Sequence, residues 1–526
     1  MLQTALAFNG TFTAPHREAA YAGRRILDEG GTAMEAMVAA AAMIAVVYPH
    51  MNGIGGDGFW LIHKPGKPPI GIAACGQAAG LATPQWYAER GHNTAIPTRH
   101  GEAALTVPGT IGGWDMALSM VESNNRFSVA ELLSGAVAKA RDGIAVTANQ
   151  SICTADKLDD LADVHGFAEA FLIDGKVPPA GARMRQARLA DTLEELGHNG
   201  LRSYYEGDVA KVHSTFLEQN GSPLRMEDFS RYAPREVTPL AIRTREGALY
   251  NMVAPTQGVA SLMILGLFDR LKVEAGESYE HIHGLIEATK RAFIKRNGDL
   301  GDPASMAADA QTWLQDQALD ALATKIDMGR ALEWPYKPAE GDTIWMGAAD
   351  RYGNVVSFIQ SVYWEFGSGL TCPQTGVFFQ NRGAGFSLIE GPNQLQPGKR
   401  PFHTLNPALA ELSDGRVMAY GTMGGEGQPQ TQAAIFTRHA RFGMPLQEAI
   451  TAPRWLLGRT WGASSTNLKL ESRFDPLLVD KLKAAGHHIE IIAPFSDLCG
   501  HAGAVVLHEN GLCEAASDPR SDGAAL

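Results

Sequence analysis

The chain has 526 residues, of which 45% are hydrophobic and 19% charged, and carries a formal net charge of −12. These values suit a globular protein with a large core, and with no basic block to offset the acidity they exclude a nucleic-acid footprint. The five cysteines (Cys75, Cys153, Cys372, Cys499, Cys513) are scattered without metal spacing and read as free thiols of a reducing compartment.

Met1-Leu2-Gln3-Thr4-Ala5 lacks the basic and apolar regions of a secretory signal, so a cytoplasmic location is expected and no membrane partner. Helical spacing runs from Arg17 to Asp28 and stops at Gly30-Gly31, a good terminator. Met34 to Val47 predicts a second helix, nearly all apolar and therefore buried, and its apolar run is too short to cross a bilayer. Gly53-Ile54-Gly55-Gly56-Asp57-Gly58 then leads into a strand, Phe59 to Ile62. Further helices are predicted over Val129–Ala140, Ala187–Glu195 and Tyr279–Arg296, with a strand at Ala248–Val253. Trp334-Pro335-Tyr336-Lys337-Pro338 reads as an extended linker, after which strands dominate: Ile344–Ala349, Val355–Ile359, Gly376–Gln380, Ala408–Leu412, Val417–Tyr420, Ile489–Ile492 and Ala504–Leu507. Helices near Gln430–Arg441 and Pro476–Ala485 interrupt them. Hairpin connections such as Asp350-Arg351-Tyr352-Gly353 imply antiparallel pairing, and sheets faced by helices from both halves imply a layered α+β architecture.

Thr343 opens the first strand after the linker, behind Glu340-Gly341-Asp342. Its plain reading is a threonine at the start of a hairpin. If the bond between Asp342 and Thr343 were cut, however, the threonine hydroxyl would lie beside its own free amine, one way to activate such a nucleophile.

The order of several short tags decides between these readings. Arg24-Arg25-Ile26-Leu27-Asp28-Glu29-Gly30-Gly31-Thr32-Ala33, the glycine run at 53–58, Val107-Pro108-Gly109-Thr110, Pro255-Thr256-Gln257-Gly258, Gly301-Asp302-Pro303, Pro397-Gly398-Lys399-Arg400-Pro401 and Gly421-Thr422-Met423-Gly424-Gly425 follow one another along the chain. In this order the chain resembles the γ-glutamyltransferase superfamily of N-terminal-nucleophile (Ntn) hydrolases along nearly its whole length. The resemblance implies a four-layer αββα sandwich with antiparallel sheets, made as one precursor. Residues 1–342 would become a large chain and residues 343–526 a small one, associated non-covalently. It also allows a dimer of such heterodimers. No cofactor and no metal are implied.

On the same resemblance, Thr343 is the nucleophile, Ser361 a second hydroxyl beside it, and the N–H groups of Gly424 and Gly425 the oxyanion hole. The family grips a γ-glutamyl group with an arginine, a serine pair and an acid. Here Ala74-Cys75-Gly76-Gln77 stands where the arginine is expected, Gly385 where the acid is expected, and His403-Thr404 where the serine pair is expected. Tyr363 replaces a small amide side chain, and with Trp364 it adds bulk. Arg382 falls on the amine side of the pocket, where a cation repels an α-amine and attracts a carboxylate. Arg382, Tyr363, His403 and Thr404 are thus the expected substrate-binding residues. The expected partner is a small-molecule acidic amide. Oxamate, cleaved to oxalate and ammonia in purine breakdown, is preferred. A glutaryl or cephalosporin-type acyl group and a γ-glutamyl group are the alternatives, and an uncleaved, inactive family member is the non-enzyme reading.

Rival chemistries lack their signatures. No Gly-x-Ser-x-Gly elbow occurs, and the pairs His281 and His283, His487 and His488 have no HExxH or Cys/His context, so they read as surface or structural. The glycine run precedes a strand, not a helix, which argues against a phosphate loop.

Overall fold

The protein is described by a computed structural model covering residues 3–121, 127–334, 342–458 and 467–526. Two seven-stranded sheets carry the architecture, each with only antiparallel neighbours. One, here the site sheet, runs in the order Ala524–Ala525, Gly10–Ala14, Asp342–Asp350, Val355–Tyr363, Asp57–Lys64, Lys67–Ala74, Arg235–Val237. The other, the facing sheet, runs Ala5–Ala7, Cys513–Ser517, Ala502–Leu507, Val417–Thr422, Ala408–Leu412, Gly247–Asn251, Leu240–Thr244.

Strand alternation sorts the side chains into three cores. Ile344, Met346 and Ala348, with Val356, Phe358, Trp60 and Ile62, pack outward against the all-apolar helix Ala33–Val47. Ala408, Ala410, Met418, Tyr420, Ala504 and Val506 pack outward from the facing sheet against the helices Gly258–Arg270, Tyr279–Asp299 and Gly427–Phe436. The opposite faces, with Phe59, Leu61, Trp345, Ile359, Leu409, Ala419 and Val505, meet between the sheets. The fold is the expected four-layer αββα sandwich.

Trp345 sets how the sheets register. A Cβ on Gly421 would lie 2.3 Å from the indole Cδ1 and one on Gly503 2.7 Å from Cζ3, while the indole Nε1 donates to Ser357 Oγ at 2.9 Å. A Cβ on Gly347 would meet both Trp345 and Val505. Residues 345 and 347 therefore sit over 503 and 505, which pair with 421 and 419. Running back along the strand, Thr343 comes over the end of Val417–Thr422 and the Met423-Gly424-Gly425 turn that follows.

Most expected elements appear with edges shifted by a few residues. The helix Arg17–Asp28 and the strands Ala408–Leu412 and Ile489–Ile492 keep their expected bounds. Thr32 and Glu35 form a capping box that starts Ala33–Val47. The segment near Gln430–Arg441 is an α-helix, Gly427–Phe436, continued by a π-turn, Thr437–Arg441. Gly376–Gln380 is not a strand. Cys372 and Val377 close a tight loop (N–H to O 2.8 Å), Gly376 takes a φ of 68°, and Gln380 N–H turns to Gly55 O at 3.0 Å. Of the linker at 334–338, only Trp334 is among the described residues.

Replacing Gly421 by alanine forces the indole to move and is expected to cost about 1–3 kcal/mol, as overpacking does, read as a lower urea midpoint. In a double-mutant cycle with Trp345→Phe part of that loss is recovered. Simple addition of the two losses would show that Trp345 is not what Gly421 makes room for.

Candidate functional site

Thr343 is fully buried and lies at a register slip. The pairs Asp342–Tyr363 and Ile344–Gln360 flank it, so one residue faces two, Ser361 and Val362. Bulges of this kind re-aim a side chain beside active sites. Thr343 and Ser361 both occupy the alternation positions that face the other sheet. Asp57, paired with Ser361 across the sheet, shares that face. The side chain of Asp342 lies outside the described part of the structure, so the expected cleavage junction is seen only from its Thr343 side.

Ser361 Oγ accepts the Tyr363 N–H at 2.8 Å. That bond steadies Tyr363 at a φ of 86°, a conformation that costs a non-glycine residue about 1–3 kcal/mol. The turn aims the phenol ring at Arg382, whose guanidinium carbon stands 3.9 Å from the ring centroid. Trp364 is only half-buried and lies against Arg99, with 5.8 Å from the guanidinium carbon to the ring. Tyr363, not Trp364, is the bulk beside Arg382.

Arg382 is 1% exposed. Its Nη1 donates to Thr404 Oγ1 at 3.3 Å, while Nε and Nη2 have no partner among the described residues. Burial lowers the guanidinium to about 10, against the pull of Tyr363, Asp57 and Cys75, so it stays charged at neutral pH. A buried cation with open donors is costly, and the group that satisfies it best is an oxyanion.

Beside it, His403 Nε2 lies 3.2 Å from Asp57 Oδ2, and Leu405 N–H donates to His403 Nδ1 at 3.4 Å. With Nδ1 accepting, Nε2 carries the proton and donates to the carboxyl. Burial first, then the Arg382 charge, holds the imidazole well below its usual range. It is neutral, and its contact with Asp57 is a hydrogen bond without ion-pair character.

Asp57 was not among the residues singled out from the sequence, yet it is the hub of the pocket. Its Oδ1 accepts from Gly76 N–H, Gly109 N–H and Gln380 Nε2, each at 3.1 Å. Burial pushes the carboxyl up to about 7, against the opposing effects of Arg382, Gln380, Gly76 and Gly109. The available signal was a lone acid inside a glycine run that opens a buried strand. Gly76 shows why no arginine stands nearby at that point: a Cβ there would fall 1.6 Å from Val107 O. Gly385 has room for a side chain (nearest atom Phe402 O at 3.5 Å) but carries none.

Gly424 and Gly425 adopt φ of 109° and 50°, in the region that favours glycine. Neither N–H donates to another described residue, while their carbonyls accept from Gly427 N–H at 2.7 Å and Gln428 N–H at 3.3 Å. Gln257, another residue given no role from the sequence, holds this turn. Its Nε2 donates to Gly425 O at 2.8 Å and Thr404 O at 2.7 Å, and Arg296 Nη1 donates to its Oε1 at 2.7 Å. One amide thus ties the free N–H pair to the His403-Thr404 segment.

Other features stand apart from this site. All five cysteines are buried and free, and no described helix is long and apolar enough to cross a membrane. His283, Glu287 and His487 gather closely enough to hold a metal. But His283 Nδ1 faces His487 Nε2 at 2.9 Å, and Glu287 Oε1 accepts from Lys290 Nζ at 2.7 Å, so an ammonium occupies the place of a cation. His281 Nε2 lies 2.9 Å from Thr437 Oγ1, and His488 is exposed.

Comparison with known proteins identifies the family and the fold. A family model described as gamma-glutamyltranspeptidase matches residues 19–526. The chain is 51% identical to the oxamate amidohydrolase proenzyme of Klebsiella pneumoniae, covering 98% of each. It is 39% identical to the glutathione hydrolase-like YwrD proenzyme of Bacillus subtilis, over 98% of this chain and 97% of that one. Among solved structures, a cephalosporin acylase from Bacillus halodurans superposes with a TM-score of 0.92 at 29% identity, covering 100% of this chain and 97% of that one.

Proposed function

Because this chain belongs to the γ-glutamyltranspeptidase family, we propose that it cuts itself between Asp342 and Thr343, and that the new Thr343 terminus hydrolyses the amide of a small acidic acyl group. Oxamate is the substrate we favour. The observation that carries the acidic-acyl reading is Arg382, a buried guanidinium with two open donor nitrogens in the pocket that Tyr363 and Thr404 frame.

In this reading Thr343 Oγ1 attacks the amide carbonyl and its own α-amine takes the hydroxyl proton. The oxyanion of the tetrahedral intermediate meets the N–H groups of Gly424 and Gly425, which are preorganised by their φ angles and by Gln257. Collapse expels the amine with the proton from the α-amine, leaving an ester on Thr343. Water, deprotonated by the same α-amine, releases the acid, so one amide and one water give one acid and one amine. Ser361 shapes the turn that places Tyr363 against Arg382.

The small substrate is supported by the Tyr363 ring stacked on Arg382 and by the relative named for oxamate. A γ-glutamyl group would need a cation and an acid at positions where Gly76 admits no side chain and Gly385 has none. The acylase resemblance keeps a glutaryl group as the second reading, and the substrate panel below separates the two.

Wild-type protein is expected to run as two fragments on a denaturing gel, the smaller with Thr343 as its first residue by Edman sequencing, and Thr343→Ala as one full-length band. A wild-type protein that stays uncut and still hydrolyses amides would refute the mechanism. Ammonia release should be faster from oxamate than from glutaryl amides or glutathione, and rapid glutathione turnover would defeat the pocket reading. In Arg382→Ala, losing the partner of a buried carboxylate should lower kcat/KM for oxamate by about 2–5 kcal/mol, thirtyfold or more, while leaving cleavage at Thr343 intact.

A further inference from the structure

The acyl pocket already holds a balanced pair of buried charges before any substrate arrives. Arg382 and Asp57 are 1% and 0% exposed. Asp57 is faced by His403, Arg382, Cys75, Tyr205 and Tyr232, and by the uncharged donors of Gly76, Gly109 and Gln380. The Cys75 thiol and both phenols are pushed upward by burial, so they are already protonated, and His403 is held neutral. A substrate carboxylate that pairs with Arg382 would leave one uncompensated negative charge among buried residues. Uncompensated buried charges are expensive enough that a proton moves instead.

We propose that Asp57 is a specificity-determining residue that takes up a proton as the acidic substrate binds, so that the substrate carboxylate replaces Asp57 as the charge that balances Arg382. This rests on the acidic-acyl reading above. The proton resides on Oδ2, toward His403, because Oδ1 is saturated by three donors. The Asp57 O–H then donates to the incoming carboxylate, while His403, its Nδ1 held as an acceptor by Leu405 N–H, keeps its proton on Nε2 toward Asp57. Above about pH 7, where the free-enzyme carboxyl is ionised, each binding event must draw that proton from solvent, and affinity for an anion falls as pH rises. Below that value the proton is already present and affinity is constant. A neutral amide of the same size brings no charge and needs no proton.

The test compares oxamate with oxamide, its neutral diamide, on the self-processed enzyme from pH 6 to 9. Taking the ratio of the two kcat/KM values cancels the titration of the Thr343 amine, which both substrates use. The ratio is expected to be flat below about pH 7 and to fall about tenfold per pH unit above it. In Asp57→Asn it should be flat throughout and, at pH 9, larger than in the wild type. A flat wild-type ratio overturns the proposal whether or not Asp57→Asn folds and processes. A slope that survives in Asp57→Asn overturns it by assigning the proton to another group. A ratio below one at every pH, with oxamide the better substrate, instead refutes the acidic-acyl reading itself.

Discussion

The wedge of Trp345 between the two sheets is the constraint on which the rest of the site depends. Its indole fills space that exists only because residues 421 and 503 lack side chains, and Ser357 fixes its orientation by accepting the Nε1 proton. Interdigitation between sheets normally leaves some freedom in register. Here a large, rigid, hydrogen-bonded ring removes it. As a result the chain end after Thr422 lies over Thr343, and four segments far apart in sequence converge at one end of the sandwich: the turn before Asp57, the Tyr363–Arg382 stack, His403-Thr404, and Gly424-Gly425.

The convergence is held by polar contacts more than by apolar packing. Gln257 joins the Gly425 and Thr404 carbonyls, and Gln380 joins Asp57 to Val107 O at 3.3 Å. Each is buried with a neutral amide that can donate twice. Neutral amides fix geometry without adding charge, so the charges in the pocket remain those of Asp57 and Arg382.

Elements with a strong period were legible in the sequence. The helix Arg17–Asp28 was readable because its apolar residues recur on one face and Gly30-Gly31 stops it, and Ala408–Leu412 because turns bracket it. The helix Gly258–Arg270 was missed because it is apolar nearly all round and, unlike Ala33–Val47 with its Thr32 cap, starts without a capping side chain, so neither a period nor a start signal separates it from a buried strand. Gly376–Gln380 misled for a related reason: its aromatic residues suggest a strand, but its hydrogen bonds close a loop on itself and on Gly55. Of the candidate site, Gly424-Gly425 lies in one of the ordered tags, and Thr343, Ser361 and Arg382 were singled out through the family resemblance that the tags carry. Asp57 was not, because its meaning depends on three donors and an imidazole supplied by segments between 19 and 346 residues away.

The strained turn at Tyr363 links the Ser361 hydroxyl to Arg382. The Ser361 hydroxyl lies in the strand beside Thr343, yet its described bond is to the Tyr363 N–H. A positive φ at an aromatic residue is unfavourable in isolation, so that bond and the Arg382 stack together must outweigh the strain. The same backbone turn ends the pairing of Val355–Tyr363 and turns the phenol over the guanidinium. A smaller residue at 363 could relax the turn, but it would uncover Arg382 to water and weaken its hold on an anion, since an exposed ion pair is worth far less than a sheltered one. The strain therefore sits where it shelters the buried Arg382 guanidinium.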